Sequence, residues 1–171
     1  MYKVELETNE AQAAFARIAS HLSDLRPLMT ELGEVMIART KDNFVRGESP
    51  DGQKWASKAP STLAAYTARK DPIDLRPLFG PSRQLSSQIF YEATPNELRW
   101  GSNLIYAAVM QFGANRGEFG TKTGVDKNGR DFSMPVPWGD IPARPYLGIG
   151  ADDSRVLIEA IEEYLADAIG D

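Results

Sequence analysis

The segment 114–140 limits the fold more than any other part of the chain. Gly117, Gly120, Gly124, Gly129 and Gly139 punctuate it. No core helix runs through such a stretch, because each interior glycine costs about 1 kcal/mol relative to alanine. Loops of this length without structure are uncommon in a compact domain and are generally functional or disordered. At its centre stands the run Asp126-Lys127-Asn128-Gly129-Arg130-Asp131. Asn-Gly favours a tight hairpin turn, so 114–140 is read as a flexible loop or a β-ribbon arm turning at Asn128-Gly129. Phe119, Phe132 and Trp138 interrupt the polar stretch, which a plain linker does not need. Together with Arg116 and Arg130 they are candidate assembly contacts. The same run is no calcium loop: the twelfth position from Asp126 is Pro137 instead of a bidentate glutamate, and glycine falls fourth instead of sixth.

Around this arm the apolar pattern predicts short, alternating elements. Tyr2, Val4 and Leu6 alternate with Lys3 and Glu5 as in a half-buried strand. A helix opens near Asn9, with Phe15, Ile18, Leu22 and Leu25 along one apolar face. Pro27 suits the first turn of a second helix, whose buried stripe is Leu28, Leu32, Val35 or Met36, and Phe44, and which Gly47 stops. In the loop 48–60, Pro50-Asp51-Gly52 is a turn and Trp55 plugs onto the core. A short helix runs from Pro60 to about Ala68, and Ser82–Ser87 forms a further helical turn. Ile89, Tyr91 and Ala93, then Leu98 and Trp100, alternate on either side of Thr94-Pro95-Asn96, an antiparallel hairpin. Asn103 is read as the cap of a helix from Leu104 to Phe112, ended by Gly113. Pro142–Ile149 is read as a short strand near a sheet edge, where prolines are tolerated. A final helix spans about Ser154 to Ile169, with Ile158, Ile161, Leu165 and Ala168 as its stripe. The expected fold is α+β, a single domain over 1–171. Its small antiparallel sheet (the N-terminal strand, the hairpin and the Pro142–Ile149 strand) packs against two N-terminal helices and a C-terminal amphipathic helix.

Composition narrows the chemistry. There is no Cys and one His, His21, which rules out disulfides, thiolate nucleophiles and any site needing two imidazoles. His21 falls in the first predicted helix, and no G-x-S-x-G elbow accompanies it. No phosphate-binding glycine motif occurs, and the acidic residues form no distinctive acid/base pair. No apolar run approaches the roughly 18 residues that cross a bilayer. No catalytic, cofactor-binding or metal-ligating residue is therefore expected, and no membrane contact. The net charge of −5 disfavours sequence-specific nucleic-acid binding, which draws on clustered Lys and Arg. Residues 151–171 hold seven acids and one base, so the acidity belongs to the terminal helix and the rest of the chain is near neutral. That helix reads as a docking face for a basic partner or as a solvated surface.

Several landmarks occur in a fixed order: Ser49-Pro50-Asp51-Gly52-Gln53-Lys54-Trp55 after a helix; Leu85 to Ile89 leading into the hairpin; Trp100-Gly101-Ser102-Asn103 before Tyr106-Ala107-Ala108 and Gln111-Phe112-Gly113; and, after the glycine-rich segment, Ile141-Pro142-Ala143-Arg144-Pro145-Tyr146-Leu147-Gly148. Over roughly residues 26–169 this set resembles the phage virion morphogenesis family, the tail-completion proteins of contractile-tailed phages such as P2 and Mu. One departure stands out. Family members usually carry Thr-Gly ahead of the leucine matching Leu85, and here Ser82-Arg83 stands there.

The resemblance implies a structural protein, not an enzyme, that completes the head-proximal end of a tail or enables head–tail joining. The implied location is the virion tail or neck, assembled in the bacterial cytoplasm. The implied partners are further copies of itself, in a ring that is hexameric by analogy with neck and terminator proteins, together with tail-tube, terminator and head–tail connector proteins. A head-side connector or adaptor is the alternative. A cell-wall hydrolase and a DNA-end-binding neck factor are the more distant ones, the latter opposed by a pI near 5.0. Among the motif residues, Asp51 and Gly52 shape the loop and Trp55 anchors it. Tyr106 and Phe112 are expected to fix the short helix against the hairpin, and Gly113 to release the chain into the arm. Arg144, held between Pro142 and Pro145, is expected to present its guanidinium to a carboxylate of its own or a neighbouring subunit. On that reading Arg144→Ala impairs assembly more than folding.

Overall fold

The computed structural model of the protein describes residues 9–169. The elements are α1 (Asn9–Ser23), α2 (Arg26–Arg46), α3 (Pro60–Arg69), α4 (Gln84–Ser87), β1 (Phe90–Ala93), β2 (Leu98–Gly101), α5 (Ala107–Phe112), β3 (Thr121–Val125), β4 (Asp131–Pro135) and α6 (Ala151–Ile169). The fold is α+β. The chain divides into two compact units. One takes in the chain up to Ala38, Phe90–Trp100 and the chain from Ala151 on; the other takes in Arg39–Ile89 and Gly101–Gly150. Among the described residues, no helix is long and apolar enough to cross a membrane.

In the first unit the organising stripe is on α2. Leu28, Leu32 and Met36 follow at four-residue steps and are all buried. Gly33 beside them has no side chain because the Tyr91 ring of β1 occupies that place; a Cβ on Gly33 would lie 2.5 Å from Tyr91 Cδ2. Helix α1 packs along α6: the Tyr164 hydroxyl donates to the His21 carbonyl at 3.3 Å, and the two rings meet edge to face. The α1 face read as core is largely exposed, with Phe15 at 71% and Leu22 at 49%.

The second unit is built on aromatic packing. Phe44, near the end of α2, is fully buried and touches Trp55, Phe79 and Tyr146, with ring centroids 5.8, 6.1 and 5.2 Å away. Buried aromatic pairs of this kind add about 0.5–1.5 kcal/mol beyond the area they bury. Gly47 ends α2 at φ +68, donating to the Asn43 carbonyl, as expected for a left-handed cap.

The sheet differs from the expectation. Among the described residues there are two two-stranded sheets, β1–β2 and β3–β4, instead of one small sheet. The N-terminal strand read at residues 2–6 lies outside the described residues. Residues 142–149 form no strand. Asn103 caps no helix either: α5 starts at Ala107 behind Tyr106, and Ser102 Oγ instead accepts the Leu104 N–H at 3.4 Å.

Candidate functional site

Two features of the second unit carry the candidate site: the ribbon arm, and the segment 141–148 that docks beneath it. The arm is a β-ribbon. Antiparallel pairing runs from Thr121 opposite Pro135 to Val125 opposite Asp131. Its turn falls where Asn-Gly predicts, with Gly129 at φ +76 and Asp126 Oδ1 accepting the Asn128 and Arg130 N–H groups. A second bridge closes the base, where Ala114 and Ile141 exchange N–H···O bonds of 2.9 and 2.8 Å.

Directly opposed residues share a face of the ribbon. One face therefore carries Lys122, Gly124, Phe132 and Met134, and Phe132 lies over Gly124, where a Cβ would be 3.0 Å from the ring. The other face carries Thr121, Thr123 and Val125 with Asp131, Ser133 and Pro135. Phe132, Met134, Val125, Phe119 and Trp138 are all exposed. The side chains of Arg116 and Arg130 are exposed as well; their backbone N–H groups are held by Asp140 and Asp126.

Beyond the bridge at Ile141, residues 142–148 form no strand. Pro142 and Pro145 have no N–H to give a ladder. Three of the other donors go to α5: the Arg144 N–H bonds the Met110 carbonyl at 2.8 Å, and the Gln111 side chain takes two more. Gln111 Oε1 accepts the N–H groups of Tyr146 and Leu147 at 3.0 Å each, while its Nε2 donates to the Leu147 carbonyl at 2.9 Å. One amide side chain thus replaces a strand edge. Sequence reasoning gave Gln111 no role, and its place in Gln111-Phe112-Gly113 was the signal. Gly113 is required on two counts: its φ is +78, and a Cβ would lie 2.7 Å from the Ile141 carbonyl oxygen.

Arg144 does not present its guanidinium to solvent. The residue is 7% exposed; Nε donates to the Ala56 carbonyl at 2.8 Å and Nη2 to the Ser57 carbonyl at 3.0 Å. No carboxylate pairs with it among the described residues. The guanidinium ties the segment 141–148 to the loop after Trp55, so Arg144→Ala removes bonds that hold the fold as well as any contact in assembly. Burial pushes its pKa down.

Trp55 Nε1 donates to the Pro145 carbonyl at 2.9 Å, which ties its loop to the segment 141–148. Asp51 is exposed in the turn before it, and Gly52 adopts φ +77 and donates to the Ser49 carbonyl. Phe112 is 77% exposed and fixes nothing, and Tyr106 stands part-exposed at the N-cap of α5. The contact that holds α5 comes instead from Tyr146, fully buried, whose hydroxyl reaches the Ala107 carbonyl at 3.5 Å.

Among the described residues, no three His, Asp or Glu side chains cluster as a metal site would need. His21, the one imidazole, lies against the Tyr164 ring. What the unit offers is a shaped surface: an open ribbon on a rigid, hydrogen-bonded base. The sequence model of the phage virion morphogenesis family matches residues 6–166. The chain belongs to that family. It is also 27% identical, over 164 residues, to the Mu-like prophage FluMu G protein 2 of Haemophilus influenzae, with 94% of this chain and 95% of that protein covered. No solved structure matches. Family membership gives the chain a structural role in phage virion assembly.

The family landmarks map onto the geometry just described: the Trp55 loop, α5 with Gln111 and Gly113, and the segment 141–148. Of the pair Ser82-Arg83, Arg83 is a left-handed residue with φ +53, the conformation that glycine takes most easily.

Proposed function

We propose that this protein completes the head-proximal end of a phage tail and prepares it for joining to the head. It acts by contact, as a homo-oligomer on the tail, and makes or breaks no covalent bond. The observation that carries this reading is the β3–β4 ribbon. A lone two-stranded ribbon is marginally stable in water. Among the described residues its strands pair only with each other, and it exposes Val125, Phe132 and Met134. Such an arm gains its cover from a partner, by strand addition along an edge or by burial of the Phe132–Met134 face. Its base is held rigid by the Ala114–Ile141 bridge and by Gln111, which limits the ordering entropy lost on docking.

The likeness to a Mu-like prophage protein along nearly its full length supports the same setting. The test is electron microscopy of particles made without this protein. Tails of normal length that carry no heads are the expected result. Complete, infectious particles, or heads that lack a closed portal beside normal tails, overturn the reading.

A further inference from the structure

We propose that the cavity between the first turn of α3 and the segment 137–144 is a socket for a carboxylate, supplied by the acidic stripe of α6 on a second copy of this chain. The inference rests on the self-association proposed above and names the contact that produces it.

The cavity has a volume of about 410 Å³, and Lys58, Ser61, Thr62, Trp138 and Arg144 contribute to its wall. Most of that wall is apolar, and the donors on it, some already bonded, keep a few N–H and O–H groups without an acceptor among the described residues. The Arg144 guanidinium bonds two carbonyls through Nε and Nη2, and Nη1 has no acceptor among the described residues. Lys58 Nζ donates to the Asp74 and Arg76 carbonyls and keeps its third N–H. The hydroxyls of Ser61 and Thr62 bond no described residue. They sit in the first turn of α3, whose N-cap, Ala59, supplies no side-chain cap and whose backbone end is electropositive. Asp140 is the acid on the wall, and its Oδ1 already accepts the Arg116 N–H.

A buried guanidinium without a counter-charge is costly, and a carboxylate placed beside it offsets that cost. Burial lowers the pKa of both Arg144 and Lys58. Asp74 partly opposes this at Lys58, whereas nothing opposes it at Arg144. The donor end of the hollow therefore suits an anion with acceptor oxygens better than a cation.

The chain carries the complementary surface. On α6, Glu159, Glu163 and Asp167 follow at four-residue steps with Glu162 beside them; all are exposed and none forms an ion pair among the described residues. No basic residue stands in the last turn. Like charges four apart, and acids at a helix C-terminus, both oppose the helix. A positive socket on a neighbour relieves both. Socket and stripe are different surfaces, so the contact is heterologous, the kind that closes into a ring.

The experiment is sedimentation velocity of the full chain over a concentration series at low and high salt. The wild type is expected to associate, less so at high salt. The triple variant Glu159→Gln, Glu163→Gln, Asp167→Asn is expected to weaken association about tenfold or more and to lose the salt dependence. Ser61→Glu places a carboxylate at the socket mouth, at a helix position that favours acids, and is expected to weaken association equally while the thermal unfolding of neither variant falls below the wild-type value. If the wild type assembles and either variant assembles just as tightly, the socket is wrong and the self-association reading stands. A wild type that stays monomeric at every concentration overturns both.

Discussion

Arg83 and Gly113 show how single backbone positions set this fold. Both take positive φ, Arg83 as an ordinary L-residue at the start of α4 and Gly113 at the end of α5. The left-handed conformation costs a non-glycine residue about 1–2 kcal/mol. At Arg83 some of that is offset by the guanidinium, which sits over the Phe79 ring at 5.7 Å and reaches Asp74 at 3.7 Å. Arg83→Gly should raise stability by about 0.5–1 kcal/mol in urea unfolding, because an exposed ion pair is worth less than the strain removed. Gly113→Ala should do the opposite, by about 1–3 kcal/mol, since backbone atoms of Ile141 and Ala143 lie in the path of the new Cβ and neither can swing away. Gly113 was legible in the sequence as a helix stop. Its second duty, leaving room for the chain at Ile141–Ala143, depends on residues far along the sequence and was not. The same holds for Arg144. Two flanking prolines suggested a stiffly presented charge, but which carbonyls or carboxylates stand opposite an arginine is decided by the loop it lands on.

At the scale of elements, period and turn chemistry were dependable where the element closes its own hydrogen bonds. Helix α2 followed its four-residue stripe from Leu28 to Phe44, the hairpin β1–β2 followed its alternation, and the ribbon followed Asn128-Gly129. The failure at 142–149 has a specific cause. Apolar and small residues there alternate well enough for a strand, but a strand exists only with a partner, and Gln111 supplies the bonds a partner would. The ribbon permits a clean test of what it is for. Replacing 121–135 by a short Gly-Ser link, which joins residues already paired across the ribbon, should leave the unfolding temperature within about 2 °C of wild type, since exposed side chains contribute little to stability. The same change should abolish incorporation into particles, read by mass spectrometry of purified virions. A deletion variant that still incorporates would show that the arm is not the contact.

Across the whole molecule, charge and its pairing govern the response to pH. Asp74 accepts bonds from the Arg76 guanidinium and N–H, and its carboxyl is held well below the usual range, chiefly by the Arg76 side-chain hydrogen bond. A carboxyl whose folded pKa is depressed contributes stability that is complete above its unfolded pKa, near 3.9 by the model-peptide value, and is lost as pH falls from there towards the folded pKa. Equilibrium unfolding should therefore weaken below about pH 4, and Asp74→Asn should flatten that fall while lowering stability at neutral pH. An unchanged acid slope in the variant would move the effect to another carboxylate.

The residues by themselves determined the helical and hairpin segments, the turn of the arm, the concentration of acid on α6 and the kinship to a family of virion assembly proteins. All of these depend on neighbours a few positions apart or on motif order along the chain. Only the tertiary structure decided that Arg144 is buried, that Gln111 stands in for a strand, that Phe112 and the α1 face remain open, and that unused donors of Lys58, Ser61, Thr62 and Arg144 line one hollow. Those outcomes depend on which distant atoms come within bonding distance, and local periodicity does not encode that distance.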